Sequence, residues 1–179
     1  MKRIGIYCSA ADDIDKRYFE EAREIGRWMA ANNIGLTYGG ADCGTMFHIA
    51  DSVREAGGHV LGIMPDRLCD IGKKLEGLDE FINCRDLSER KDLLIKHSDI
   101  ILALPGGIGT LDEVFTTMSE AMLKYHNKKM ILYSSNGYWD NLIAFLRKME
   151  KEGFVHGRLS DIMLTASSIN ELEEIIKNS

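Results

Sequence analysis

Short, wholly apolar runs alternate with amphipathic segments along the chain, and this alternation limits the possible folds more than any other feature. Residues 4–8, 34–38, 59–64, 81–84, 100–104 and 130–133 are the strand candidates, with a weaker one at 162–165. Several lack polar alternation, as strands do when helices cover both faces of their sheet. Between the first two, Ile14, Tyr18, Ala22, Ile25 and Met29 advance by threes and fours and mark one buried helix stripe. Asp12 or Asp13 can cap its start, and Asn32-Asn33 can end it. Further helices are expected over residues 45–56, 89–97, 111–125, 138–152 and around 169–176. With two prolines and no linker or repeat, the pattern predicts one α/β domain over residues 1–179. It is Rossmann-like and doubly wound, with a mainly parallel sheet.

Composition removes several classes of function. A net charge of −6 argues against a nucleic-acid polymer or an anionic membrane as partner. No run of about 18 apolar residues offers a membrane span. The basic-then-apolar start at residues 1–8 is too short for a signal peptide, and Asp12, Asp13 and Asp15 follow it. Cys8, Cys43, Cys69 and Cys84 are far apart, and the five histidines show no ligand spacing, so no metal site is expected. These features suit a reducing, cytoplasmic setting.

In a doubly wound sheet ligands gather outside the carboxyl ends of the strands, and three segments there carry chemistry. Leu104-Pro105-Gly106-Gly107-Ile108-Gly109-Thr110 joins a buried strand to a helix. Its glycines open the backbone to a ligand, and free N–H groups at the helix start can hold a phosphate. The spacing is that of neither a Walker loop nor a dinucleotide fingerprint. Thr110-x-x-Glu113 also reads as a capping box, which gives Glu113 a purely structural alternative. Tyr38-Gly39-Gly40-Ala41-Asp42-Cys43-Gly44-Thr45-Met46 repeats the strand–glycine–helix plan, so Gly40 and Gly44 join the candidate ligand backbone. Arg90-Lys91 is expected at a helix start, where cations oppose the dipole; such a local rule-break marks either a site or a solvated face.

Together these segments resemble the LONELY GUY family of phosphoribohydrolases, long mislabelled as lysine decarboxylases. Pro105 to Glu113 matches its Pro-Gly-Gly-x-Gly-Thr-x-x-Glu signature in full, Arg90-Lys91 its Arg-Lys pair, and Tyr38 to Met46 its Tyr-Gly-Gly loop. The resemblance implies a cofactor-independent homodimer that hydrolyses nucleoside 5′-monophosphates to free base and ribose 5-phosphate. It implies Arg90 and Glu113 as the catalytic pair. Gly106, Gly107, Gly109 and Thr110 would hold the phosphate, Lys91 would assist binding, and Ser119 would keep a hydroxyl where the family has threonine. Departures lie at Cys8-Ser9-Ala10-Ala11, at Ser119-Glu120-Ala121-Met122 and over residues 66–78, and they touch base preference more than reaction type. Leu111, Val114, Phe115, Met118, Ala121, Met122 and Tyr125 give the helix after the signature an apolar face wide enough for both core and partner. The rival reading is a nucleotide-binding or sensor protein without turnover; a dinucleotide oxidoreductase has the wrong glycine spacing.

Overall fold

The computed structural model describes residues 1–70 and 74–178. Its strands are β1 (Arg3–Tyr7), β2 (Gly35–Tyr38), β3 (Val60–Pro65), β4 (Glu80–Cys84), β5 (Ile100–Ala103), β6 (Met130–Tyr133) and β7 (Met163–Ala166). They form one seven-stranded sheet in the order β4-β3-β2-β1-β5-β6-β7. Every neighbouring pair is parallel, so the sheet is wholly rather than mainly so, and the weak seventh run is a real edge strand.

The helices are α1 (Lys16–Ala31), α2 (Gly44–Glu55), α3 (Asp66–Asp70), α4 (Leu87–Lys96), α5 (Ile108–Met122), α6 (Asp140–Lys151), α7 (Leu159–Ile162) and α8 (Ile169–Lys177). Side chains alternate across the central strands. Ile4, Ile6, Leu36, Leu102 and Ile131 pack in one core with Ile25 and Met29 of α1, Ile49 and Val53 of α2, and Leu172 of α8. Tyr7, Ile101, Ala103 and Leu132 pack in the other with Leu94 of α4, Val114 and Met118 of α5, and Leu146 of α6. Two buried faces explain why these runs show no polar alternation.

Helix starts differ from the sequence reading in three informative places. Asp15, not Asp12 or Asp13, caps α1 by accepting from the Arg17 N–H. Asp12 instead reaches across to accept from the Gly44 N–H at 2.7 Å. The helix α4 starts at Leu87, two residues before the expected start, with Asp86 capping it by accepting from the Glu89 N–H at 2.9 Å. The third helix to shift, α5, begins at Ile108, three residues early. At the other end of α1, Asn33 adopts φ 55 and ends the helix as expected. Both α3 and α7 are too short to leave a periodic signal. Residues 71–73, within the divergent stretch 66–78, lie outside the described residues.

The sheet changes direction at its centre. From β1 the chain steps through β2 and β3 to β4 on one side, then crosses to β5 on the other side of β1. The connections after β1 and β5 therefore leave toward opposite faces and open a crevice between them. Among the described residues no helix is long and apolar enough to cross a membrane.

Candidate active site

The crevice between β1 and β5 is entered by the loop running from Leu104 into α5. Gly107 is the N-cap residue and supplies no side-chain cap, so the first N–H groups of α5 lack intrahelical acceptors. Gly107 and Gly109 are exposed, and a Cβ on either would meet nothing within 4 Å. Gly106 is different: a Cβ there would lie 2.2 Å from Thr110 Oγ1. The Thr110 hydroxyl donates to the Cys8 carbonyl at 3.1 Å, and the Tyr138 hydroxyl donates to the Gly106 carbonyl at 2.8 Å. The loop is thus fastened on two sides while its amides at the helix start stay open.

Glu113 sits in the second turn of α5, nearly buried, facing α4. Its Oε1 lies 3.4 Å from Arg90 Nη2, with side-chain exposures of 12% for the arginine and 8% for the glutamate. Arg90 Nε also donates to the Ile63 carbonyl at 3.2 Å. The guanidinium passes directly over Gly39, where a Cβ would come within 1.9 Å of Nη2. Lys91 Nζ is 3.0 Å from both Asp112 carboxylate oxygens, so two ion pairs tie α4 to α5. A cleft of about 280 Å³ opens beside them, walled by Ser9 and Ala10 after β1, Met46 of α2, Leu87 of α4, and the backbone of Gly107 and Gly109.

This chain matches the family model described as "Possible lysine decarboxylase" over residues 46–177. It is 34% identical over 172 residues to the cytokinin riboside 5′-monophosphate phosphoribohydrolase LOG5 of Arabidopsis thaliana, covering 96% of this chain and 75% of that one. The corresponding enzyme LOG1 of the same plant is 35% identical, over 96% of this chain and 81% of its own length. The chain belongs to the LONELY GUY family. Among solved structures, the molybdenum cofactor carrier protein of Chlamydomonas reinhardtii aligns over 99% of this chain and 96% of its own with a TM-score of 0.76; at 20% identity it shares the fold.

The family signature is therefore the segment that builds the cleft, and its residues can be placed one by one. Arg90, Lys91, Gly107, Gly109, Thr110 and Glu113 all line the cleft. Gly106 lies just behind it, under Thr110. Gly40 and Gly44 do not line it. Gly40 packs toward Phe81, and Gly44 adopts φ +57 beneath the loop after β1, where a Cβ would come within 2.5 Å of the Ser9 carbonyl. The start of α2 is closed by that loop: the Gly44 N–H goes to Asp12, the Met46 N–H to the Ser9 carbonyl at 3.3 Å. Ser119 lies on the exposed side of α5, six residues past Glu113 and away from the cleft.

Two structural alternatives from the sequence fall. The capping box at Thr110 is excluded because α5 begins at Ile108, which puts Thr110 inside the helix and Glu113 beyond its first turn. The solvated-face reading of Arg90-Lys91 is excluded because both cations point at α5 rather than at neighbours on their own helix. The dipole conflict also dissolves, since the first turn of α4 carries Glu89 and the cations lie further in. Sequence reasoning missed Gly39, Leu87, Asp112 and Tyr138. The Tyr-Gly-Gly loop did signal that Gly39 matters, but the reason is room for a guanidinium rather than for a phosphate.

Burial pushes the Glu113 carboxyl up to about 7; Arg90 pulls it down and Asp112 adds to the rise, but loss of solvation dominates. Arg90 therefore does not hold Glu113 fully ionised, and both protonation states are populated near neutrality. Cys8, in the same cleft, is driven by burial to about 12, which leaves it a neutral thiol and a poor nucleophile. The linkage has a definite sign. Between pH 4.5 and 7 the native carboxyl holds a proton that the unfolded chain has released, so stability falls as pH rises through that window and levels above it. Glu113→Gln removes this dependence. Denaturant unfolding at a series of pH values should show the parent losing about 3 kcal/mol relative to the variant across the window; a difference that stays constant with pH would mean that Glu113 titrates normally.

Proposed function

We propose that this protein hydrolyses the N-glycosidic bond of a nucleoside 5′-monophosphate, of the adenosine or cytokinin riboside type, to free base and ribose 5-phosphate. The observation that carries the reading is the placement of Glu113 against Arg90, four residues along α5 from Gly109. That is about 6 Å of helix rise from the exposed amides, a span suited to a ribose phosphate lying along the helix start. The curated relatives named above are enzymes of this class, which supports the same bond as the target.

The chemistry follows from the geometry. The amides of Gly107, Ile108 and Gly109, with the α5 dipole, hold the 5′-phosphate. The Thr110 hydrogen is committed to the Cys8 carbonyl, so this residue latches the loop rather than donating to the ligand through its hydroxyl. Lys91, balanced by Asp112 at the rim, adds positive potential on the phosphate side. As the bond between C1′ and the base nitrogen breaks, its electron pair leaves with the base and the sugar becomes cation-like. The Glu113 carboxylate stabilises that charge. Water adds at C1′ and passes a proton to Glu113, which then releases it to solvent, while the departing base nitrogen takes a proton from solvent, so that one water is consumed for each bond cleaved. A carboxyl poised near 7 suits both duties at neutral pH. Met46 and Leu87 supply apolar surface where a flat base can lie.

Adenosine monophosphate should therefore yield adenine, and adenosine should react at least about a hundredfold more slowly, a loss of roughly 2.7 kcal/mol. Glu113→Gln should fold and bind nucleotide but lose about 10²–10⁴ in rate. Comparable kcat/KM for adenosine would overturn the phosphate loop. A parent protein that binds the nucleotide without cleaving it would instead be a nucleotide-binding protein on this fold.

The reading extends to assembly and setting. Val114, Met118 and Ala121 are spent in the core, but Ile108, Phe115 and Leu123 are 83%, 42% and 68% exposed, an apolar surface suited to a second copy of the chain. No disulfide joins the four cysteines, in keeping with a cytoplasmic setting. Light scattering at micromolar concentration should give about twice the 20.1 kDa chain mass; a single chain mass would overturn the homodimer.

A further inference from the structure

We infer that Tyr138 is a positioning residue for anion binding: its hydroxyl sets the orientation of the Gly106–Gly107 peptide so that the Gly107 N–H faces the cleft. The inference rests on the reading of that loop as a phosphate site. Tyr138 lies outside the cleft, on the turn between β6 and α6, and its hydroxyl donates to the Gly106 carbonyl at 2.8 Å. The peptide bond is planar and trans, so the Gly107 N–H points opposite to the Gly106 carbonyl. Gly107 lines the cleft. Drawing the carbonyl toward Tyr138 therefore turns the N–H toward the space a phosphate would fill.

The peptide needs such a restraint. It joins two glycines, and rotation about ψ of the first and φ of the second meets no Cβ on either side. Flipped, it would present a carbonyl oxygen to the anion in place of an N–H. The remainder of the loop does not prevent this, because Thr110 binds Cys8 rather than the Gly106–Gly107 peptide.

Tyr138 is itself held firmly. Asn136 and Gly137, at φ 49 and 73, turn the chain back over the sheet. The Trp139 N–H donates to Ser134 Oγ at 2.9 Å, and the Ser134 hydroxyl donates to Asp140 at 2.8 Å. Ser135 donates to Glu21 of α1 at 2.6 Å, which anchors the turn to a second element. The Tyr138 ring meets Tyr18 edge-on at 5.7 Å and Trp139 at 4.7 Å. Tyr138, a residue 43% exposed, is thus fixed by packing, and its hydroxyl is spent on a loop carbonyl far away in sequence.

Tyr138→Phe keeps the ring contacts and removes only that hydrogen bond. Titration calorimetry with inorganic phosphate and with ribose 5-phosphate, on the parent and on the variant, reads the effect without any turnover. Both ligands should bind about tenfold more weakly to the variant. KM for a nucleoside 5′-monophosphate should rise by a similar factor, while kcat/KM for the unphosphorylated nucleoside stays at the parent value. Unchanged phosphate affinity in the variant would overturn the positioning role. Equal losses for phosphorylated and unphosphorylated substrates, with a lowered Tm, would also overturn it by reducing Tyr138 to a packing residue. A parent protein that binds neither phosphate would instead sink the reading of the loop on which this inference stands.

Discussion

The arrangement of the site depends on the reversal of strand order at β1. Because β2 lies on one side of β1 and β5 on the other, the two connections diverge and cannot fill the gap between them. The first carries Ser9 and Ala10 over the start of α2; the second carries the three glycines into α5. A parallel sheet supplies strand ends that all point one way, and the reversal at β1 supplies a place where the covering helices part. Cleft, amides and ion pairs are all built at that place.

Within it, the pairing of Arg90 with Glu113 carries a solvation cost. A nearly buried carboxyl beside a nearly buried guanidinium loses solvation on both partners, and attraction at 3.4 Å does not restore it fully, as the raised Glu113 carboxyl shows. The surrounding residues are chosen to make that geometry fit. Gly39 gives the guanidinium its path, the Ile63 carbonyl fixes its angle, and Lys91 with Asp112 holds the two helices in register at the rim. Apolar packing alone would join α4 and α5 at lower cost. It would not leave a proton-exchanging carboxyl facing the cleft.

Much of this architecture could be read from the chain. The central strands were legible because both their faces are buried, and even the weak run at 162–165 became β7, an edge strand. The glycines were legible as a loop that could either bind a phosphate or merely turn, and Glu113 stood out only through the match of Pro105 to Glu113 to the family signature. What escaped was tertiary. Asp12 looked like the cap of α1, yet it serves Gly44 across the crevice. Thr110 and Glu113 had the spacing of a capping box, and only the true start of α5 separates the two roles. The second glycine loop looked like a second set of free amides; the structure spends those amides on the β1 loop and gives Gly39 to Arg90. Tyr138 and Asp112 touch the site through contacts that no local pattern encodes.

The central claim is that water, directed by Glu113, replaces the base at C1′ of a nucleotide anchored by its phosphate. The most direct test is to incubate the protein with adenosine monophosphate in heavy-oxygen water and weigh both products by mass spectrometry. The expected products are ribose 5-phosphate carrying solvent oxygen at C1′ and adenine carrying none, formed in equal amounts. Adenine released with a ribose product that has gained phosphate in place of water would contradict the claim, as would a nucleotide recovered intact.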